Sequence, residues 1–180
     1  RYDIFMNRHS FSSKDIYVMT LNYTNTLEKI LDYNTSTGVF TKNLNLYNNL
    51  QGIIHIHGQL DSSIIIGVDH PAQMKNEAFR NNEDIKDIMI KIESNESMKE
   101  TRHMECERLI ANANVIVLFG VSLGETDARW WKLIGQHLKR RRNLAIIQHL
   151  YNPGAINPTQ REKIRQLERK QQEYLLQRME

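Results

Sequence analysis

The sequence VIVLFGVSLGETDARWW, at Val115–Trp131, decides the predicted fold. It begins with the apolar run Val115–Phe119, which is rich in β-branched residues and is closed by Gly120. Such a run is typical of a strand that is buried on both faces of a sheet. Ser122 is followed three residues later by Glu125, a pairing that forms a capping box where a helix begins. The stretch therefore predicts a strand, a tight loop and a helix.

A helix that begins directly after a strand is a favourable place for a phosphate group. Its free backbone N–H groups and the positive end of its dipole point toward one spot. The stretch has no Gly-x-Gly-x-x-Gly fingerprint, however, so a well-capped strand–helix unit is the favoured interpretation. A nucleotide site therefore needs support from other parts of the chain.

The segment Ile16–Glu28 repeats this pattern nearer the start of the chain. Ile16–Leu21 is a strand candidate, and a polar turn follows it. Asn25 together with Glu28 can cap the next helix. Asn22 comes directly after the strand, and polar side chains at the carboxyl ends of parallel strands lie where α/β sheets bind ligands. We therefore expect Asn22 to lie at a ligand-binding position.

Two histidines close the next strand candidate, which ends at Gly58. The alternation places His55 and His57 on one face of the strand, and Ile54 and Ile56 on the other. Two histidines on one face can bind a metal ion. No Asp, Glu or Cys at close spacing completes such a site, so hydrogen-bonded histidines at a strand end are the favoured interpretation.

The rest of the chain predicts further strands and helices. Short strands are expected at Val39–Thr41, Ile64–Val68 and Leu144–Tyr151, and helical segments over residues 73–113, 126–139 and 159–179. In the second of these helices, the residues expected to face the sheet are Trp130, Trp131, Ile134 and Leu138. Strands that alternate with helices predict an α/β fold, with a parallel sheet flanked by helices and a C-terminal helix after it.

The composition is that of a globular protein. The chain has 180 residues, of which 40% are hydrophobic and 25% are charged, so it is long enough to bury a core. The net charge of +3 is too small to indicate nucleic-acid binding by itself. The single cysteine, Cys106, excludes an internal disulfide and favours a reducing, cytoplasmic setting. No stretch is long and apolar enough to span a membrane, so no membrane partner is expected.

Two further features allow both a functional and a structural interpretation. His103 and Cys106 share a helix face, but a packed cysteine and a surface histidine are favoured over a metal site because partner ligands are lacking. Lys139–Arg142 is a basic run at the predicted end of a helix. Favourable charge at a helix C-terminus is the favoured interpretation, and a nucleic-acid patch is the alternative.

Three motifs stand in order along the chain: Asn22–Glu28, His55–Gly58 and Gly120–Asp127. Together they resemble the bacteriophage abortive-infection AbiH family and, more distantly, the sirtuin-like domains of bacterial anti-phage systems. The shared pattern is an Asn after a strand, a His-Gly at the end of the next strand, and a Gly-x-Ser-Leu loop. The resemblance covers about residues 16–151 and leaves the C-terminal helix outside it.

The resemblance implies a Rossmann-like, sirtuin-like sheet that binds NAD at its switch point. By position, Asn22 would hold the nicotinamide ribose and a water molecule, and His57 would act as the general base. The loop with Ser122 would face the adenosine side, and no metal is expected. The residues that the resemblance assigns to cofactor binding are Thr20, Tyr23, Thr24, Gly58, Gly120, Ser122, Leu123, Glu125 and Asp127.

The implied chemistry suits these residue types. Cleavage of an N-glycosidic bond passes through an oxocarbenium-like state, so correct positioning and a modest base suffice. Histidine supplies such a base near neutral pH. The amide of Asn offers a hydrogen-bond donor and an acceptor without charge.

The chain also departs from the sirtuin-like pattern. Relatives carry a Gly-rich, nucleotide-binding first strand, which is not found before Ile16. Because the chain begins with Arg1 rather than Met, we expect a fragment that lacks its N-terminal part. Sirtuin deacylases carry a four-cysteine zinc module, which a single cysteine excludes, so protein deacylation is not expected. Thr24 stands where many sirtuin-like domains have Asp.

With this resemblance, the chain is expected to be a cytoplasmic anti-phage effector that hydrolyses NAD to nicotinamide and ADP-ribose. The expected domain limits are 1–151 for a sirtuin-like domain, incomplete at its N-terminus, and 152–180 for a helical extension. The expected partners are NAD or a related nucleotide, a second copy of the chain and a phage-derived trigger. Two alternatives are a non-catalytic nucleotide-sensing or protein-interaction domain, and a nucleic-acid-binding protein that uses Lys139–Arg142.

Overall fold

The described part of the chain contains helices, two short parallel sheets and one antiparallel pair of strands, which confirms the predicted α/β class. The computed structural model describes residues 14–34, 39–40, 48–149 and 161–180. The chain divides into two units, Arg1–Ile65 and Ile66–Glu180. None of the helices in the described part of the chain is both long and apolar enough to cross a membrane.

The first unit contains a pair of parallel strands, β1 (Lys14–Thr20) and β4 (Asn48–His55). A short helix, α1 (Thr26–Leu31), follows β1 after a polar turn. Two very short strands, β2 (Tyr33–Asn34) and β3 (Val39–Phe40), pair with each other in antiparallel fashion. The strand predicted at Ile16–Leu21 is therefore confirmed as β1, and the strand predicted from Val39 is confirmed as β3.

The turns that follow β1 and β4 leave the sheet at the same end. Thr20 and His55 are partners in the parallel register, and the Ile56 N–H donates to the Thr20 carbonyl at 3.0 Å. The prediction that β4 runs on to Gly58 is wrong, because the chain turns immediately after His55. The Gly58 N–H donates to the His55 carbonyl at 3.0 Å, and Gly58 has a φ of 82°, which glycine adopts without strain.

The second unit begins with four helices and continues with alternating strands and helices. The helices are α2 (Glu77–Arg80), α3 (Glu83–Met89), α4 (Lys91–Ser97) and α5 (Arg102–Asn112); then come β5 (Val115–Leu118), α6 (Ala128–Arg140), β6 (Ala145–Gln148) and α7 (Arg161–Arg178). Strands β5 and β6 are parallel neighbours. The interrupted helical region predicted over residues 73–113 is confirmed.

Two predictions about strands from Ile64 onward are wrong. Strand β5 is not buried on both faces, since Ile116 and Leu118 are buried but Val117 is 59% exposed. The predicted strand Ile64–Val68 is absent from the described structure, where Val68 makes one isolated bridge to Ile90. A run of β-branched residues identifies β propensity, but it does not identify how many faces the neighbours cover.

Of the apolar face predicted for α6, Trp130, Trp131 and Ile134 are buried and Leu138 is half-buried. The C-terminal helix α7 packs against α6, and Met179 at its end is 3% exposed. Gly135 allows this approach, because a Cβ there would lie 2.1 Å from the Met179 carbonyl oxygen.

The predicted domain limits and the Rossmann-like arrangement of the strands stay predictions. The predicted element ends at Thr41, Tyr151 and Thr159 lie outside the described residues, as does the segment before Lys14.

Candidate functional site

The turn after β1 carries Asn22, the residue predicted to hold the ribose. Its side chain is exposed, and its backbone N–H and carbonyl groups both have hydrogen-bond partners. The Asn22 N–H donates to Thr20 Oγ1 at 3.1 Å, and its carbonyl oxygen lies 2.7 Å from Nδ1 of His55. Of the residues assigned to cofactor binding here, Thr20 therefore supports the turn through its hydroxyl.

His57, the predicted general base, lies in the turn after β4 and is 5% exposed. Its carbonyl oxygen accepts from the Ile65 N–H at 2.8 Å, and its ring centroid lies 6.3 Å from that of Tyr23. Since Tyr23 is the neighbour of Asn22, the structure brings the two predicted motifs of this unit together. It does not place His57 on the same strand face as His55, because the strand has ended.

Glu28 has a different role from the one that the sequence predicts. Asn25 is the N-cap residue of α1 but makes no side-chain capping bond, so the predicted Asn25–Glu28 cap is wrong. The Glu28 side chain is 5% exposed and its Oε1 lies 2.5 Å from Nε2 of His55. Gln59 Nε2 donates to the same oxygen at 3.1 Å. His55 is thus a buried, hydrogen-bonded histidine, as its position at a strand end indicates.

Two other predicted residues of this unit have simpler surroundings. Thr24 is exposed, and its hydroxyl forms a hydrogen bond of 3.0 Å with the Thr26 hydroxyl. Tyr23 is half-buried, and its carbonyl oxygen accepts from the Leu60 N–H at 3.0 Å. The bond between Leu60 and Tyr23 ties the Asn22 turn to the segment that follows His57.

The Gly-x-Ser-Leu loop lies in the second unit, after β5. Gly120 has a φ of 64° and Leu123 a φ of 54°, a backbone conformation that is unfavourable for leucine. Leu123 is only 1% exposed, so the residue packs in the interior. The Ser122 side chain is exposed.

The capping box predicted for this loop is wrong. A short 3-10 turn, Glu125–Asp127, begins after Gly124, and no side chain caps it. The carboxylate of Glu125 instead accepts from Arg178 Nη1 at 3.4 Å, and its carbonyl oxygen accepts from Gln73 Nε2 at 2.8 Å. Glu125 therefore links the loop to the C-terminal helix.

A buried lysine holds the end of the loop. Lys91 is 7% exposed, and its Nζ donates to Asp127 Oδ1 at 2.6 Å and to the Thr126 carbonyl at 2.5 Å. Asp69 Oδ1 lies 4.0 Å from the same nitrogen, and Asp69 Oδ2 accepts from the Arg129 N–H at 2.9 Å. The Asp127 carboxylate, which is assigned to cofactor binding, is thus engaged by an internal partner.

Lys91 and Asp69 are residues that sequence reasoning does not single out for this loop. They lie outside all three motifs, and their separation from Asp127 carries no recognisable spacing. Glu28 does carry a signal, since it shares a face of α1 with Leu31 three residues later. An ionisable residue on the apolar face of a short helix indicates a buried partner.

Two side features have structural explanations. Cys106 is fully buried, which confirms the packed-cysteine interpretation, and burial raises the pKa of its thiol to about 12. The basic run Lys139–Arg142 spans the C-terminal end of α6, where Arg141 donates a hydrogen bond to the Ala111 carbonyl. Among the residues that the structure describes, no group of three or more His, Cys, Asp or Glu side chains could hold a metal ion.

Comparison with known proteins gives one finding. The model of the family described as "Bacteriophage abortive infection AbiH" matches residues 4–149, which is most of the chain. Comparisons with curated proteins and with solved structures give no match. The matched range includes all three motifs, and the chain therefore belongs to the AbiH family of bacteriophage abortive infection.

Proposed function

We propose that this chain acts in abortive infection by hydrolysing the N-glycosidic bond of NAD. Its family implies a role in defence against phage. One observation carries the enzymatic part of the proposal: an exposed Asn22 and a buried His57 lie in turns at the same end of one pair of parallel strands. Ligands of α/β sheets bind at such ends.

The proposed reaction needs few groups. Water attacks C1′ of the nicotinamide ribose, the bond from C1′ to the pyridinium nitrogen breaks, and nicotinamide leaves as a neutral molecule with the bonding electrons. His57 accepts the proton that the water loses, and the Asn22 amide orients the ribose and the water. A positioned base and a positioned nucleophile supply much of the acceleration for such a step.

The surroundings of His57 support its role. The side chain is 5% exposed, and a base in a water-poor position keeps competing hydrogen bonds from bulk solvent away. The Asn22 side chain lies at the surface on a turn whose backbone is hydrogen-bonded at both its N–H and its carbonyl. The cofactor contacts that the resemblance assigns to Gly120, Ser122, Leu123, Glu125 and Asp127 in the second unit stay predictions.

The test is release of nicotinamide from NAD by the purified chain, followed by chromatography, with and without an extract of phage-infected cells. We expect His57→Ala to reduce kcat about 100-fold or more, since general bases contribute about that much. His149→Ala is the control, because His149 is exposed and lies outside the three motifs. Absence of nicotinamide release in both conditions contradicts the proposal, as does a His57→Ala variant with full activity.

A different outcome supports one of the alternatives. Saturable NAD binding without turnover indicates a nucleotide sensor. Binding to nucleic acid that weakens steeply with salt, and that is lost when Lys139, Arg140 and Arg142 are replaced by Ala, indicates the nucleic-acid function. Lys139, Arg140 and Arg142 all have exposed side chains.

A further inference from the structure

We propose that Glu28 and His55 are positioning residues, which hold the turn that carries Asn22 in the conformation that catalysis needs. The kinetic consequence rests on the proposed NAD hydrolysis, whereas the contact itself is independent of it. Neither residue is among those that the motifs assign to catalysis or to ligand binding.

The contact is buried and continuous from α1 to the Asn22 turn. The side chains of Glu28 and His55 are each 5% exposed. One ring nitrogen of His55, Nε2, lies 2.5 Å from Glu28 Oε1, and the other, Nδ1, lies 2.7 Å from the carbonyl oxygen of Asn22. The imidazole therefore bridges the helix after β1 and the turn before that helix.

The hydrogen atoms in this bridge can be counted. A backbone carbonyl only accepts, so Nδ1 of His55 carries a hydrogen and donates it to Asn22. One more hydrogen lies between Nε2 and Glu28 Oε1, whichever of the two atoms holds it. Both ring nitrogens of His55 are thus engaged in hydrogen bonds. The ring is therefore placed to hold the turn rather than to accept a proton from a substrate.

Stability alone does not account for the pair. Glu28 Oε2 is buried without a hydrogen-bond partner among the residues that the structure describes. Buried ionic or polar pairs are often matched or exceeded in stability by apolar side chains of similar volume. What this pair adds over apolar side chains is a fixed position for the turn that carries the exposed Asn22 amide.

Two double variants separate the contact to Asn22 from the contact to α1. In a side-chain amide, the nitrogen of Asn stands where Nδ1 of His does, and the nitrogen of Gln stands where Nε2 does. The variant Glu28→Gln/His55→Asn can therefore still donate to the Asn22 carbonyl, whereas Glu28→Gln/His55→Gln cannot. The two variants carry the same charge and are close in size, so general effects on folding are matched.

The kinetic readout is the difference in kcat between these two variants, with KM measured in parallel. We expect kcat of the variant with His55→Gln to be about 100-fold below that of the variant with His55→Asn, because misplacing a reacting group by about 1 Å has an effect of this size. KM should change much less. Equal kcat values in the two double variants overturn the positioning role, even where both fall below the native chain.

A second readout does not depend on NAD. Amide hydrogen exchange over residues 21–27 should be faster in Glu28→Gln/His55→Gln than in Glu28→Gln/His55→Asn, because only the latter keeps a donor to the Asn22 carbonyl. Glu107→Gln, which removes a carboxylate that pairs with Arg129 in the second unit, should leave exchange in this segment unchanged. If the native chain releases no nicotinamide, the proposed hydrolysis fails while exchange still decides the contact. Equal exchange in the two double variants overturns the inference.

Discussion

The two units bury different kinds of side chain. Among the described residues of the first unit, Glu28, His55 and His57 are buried beside Ile56 and Ile65. In the second unit most of the buried side chains are apolar, and they include Leu123, Trp130, Trp131, Ile134, Leu144, Leu175 and Met179. Three of the five side chains named for the first unit can carry a charge, whereas the second unit has a conventional core.

This difference distinguishes the buried apolar side chains, which stabilise the fold, from the buried ionisable side chains, which are placed for chemistry. Burial of apolar surface stabilises a fold by about 25 cal/mol per Å². Burial of ionisable groups opposes folding unless they are paired and hydrogen-bonded. The first unit therefore gives up stability where it assembles titratable groups, and such groups gather at functional sites. The second unit contributes the larger hydrophobic core.

The polar turns of the two units are also held differently. His55, which holds the Asn22 turn, belongs to the same short motif as His57. Lys91, which holds the Glu125–Asp127 turn, comes from a helix outside the motifs. In the first unit the supporting residue is therefore a sequence neighbour of a proposed catalytic residue, whereas in the second unit Lys91 lies far in sequence from the turn that it holds.

The largest effect is expected from the loss of Lys91, which holds the Glu125–Asp127 turn of the second unit. Lys91→Ala leaves Asp127 and Asp69 without their buried cation, and removal of one partner of a buried pair destabilises by about 3–5 kcal/mol. The free energy of unfolding in urea measures this loss. The control is Lys86→Ala, which breaks an ion pair with the exposed Glu83 and should change stability by about 0.5 kcal/mol or less. Similar losses in the two variants contradict the role assigned to Lys91.

A smaller effect is expected where α7 approaches α6. Gly135→Ala introduces a Cβ that would lie 2.1 Å from the Met179 carbonyl oxygen and 2.6 Å from the Met179 Cβ, so the C-terminal helix must shift. Overpacking of this kind destabilises by about 1–3 kcal/mol. Thermal unfolding measures the loss. Gly52→Ala in β4 is the matched control, since a Cβ there meets nothing within 4 Å. A Gly135→Ala protein as stable as the control would show that α7 is not held at this contact.

The comparison also explains what was predictable from sequence. Hydrophobic and β-branched residues identified β1, β5 and α6 as elements, because each has a local pattern of its own, and the burial of α6 follows that pattern. The pattern failed for the burial of β5, since Val117 carries a β-branched side chain and is exposed. How many faces of a strand are covered is decided by elements distant in sequence, which no local pattern records.

The proposed catalytic residues of the candidate site were predictable from the sequence, but the contacts that hold them in place were not. Asn22 and His57 were identified by their places in the motifs, and the structure brings their turns together. Glu28 was assigned to a helix cap, because a carboxylate in a first helical turn usually serves there. Its true partner, His55, is 27 residues away. Side-chain pairing at that distance depends on the sheet register, which local propensity does not contain.

The smallest expected effect uses the chain's single cysteine, which lies in the second unit. Burial raises the pKa of the Cys106 thiol from 9.0 to about 12, and the carboxylates of Glu105 and Glu107 add to the rise. Because the folded form holds the proton more tightly, this contribution to stability is complete below the unfolded pKa and is lost as the pH rises toward the folded one. Between about pH 8 and about pH 10 the loss should be about 1 kcal/mol. Urea unfolding of the native chain and of Cys106→Ala at both pH values isolates it, since the variant loses packing at every pH but has no thiol to titrate. Parallel stability curves for the two proteins would show that the thiol ionises as easily in the folded chain as in the unfolded one.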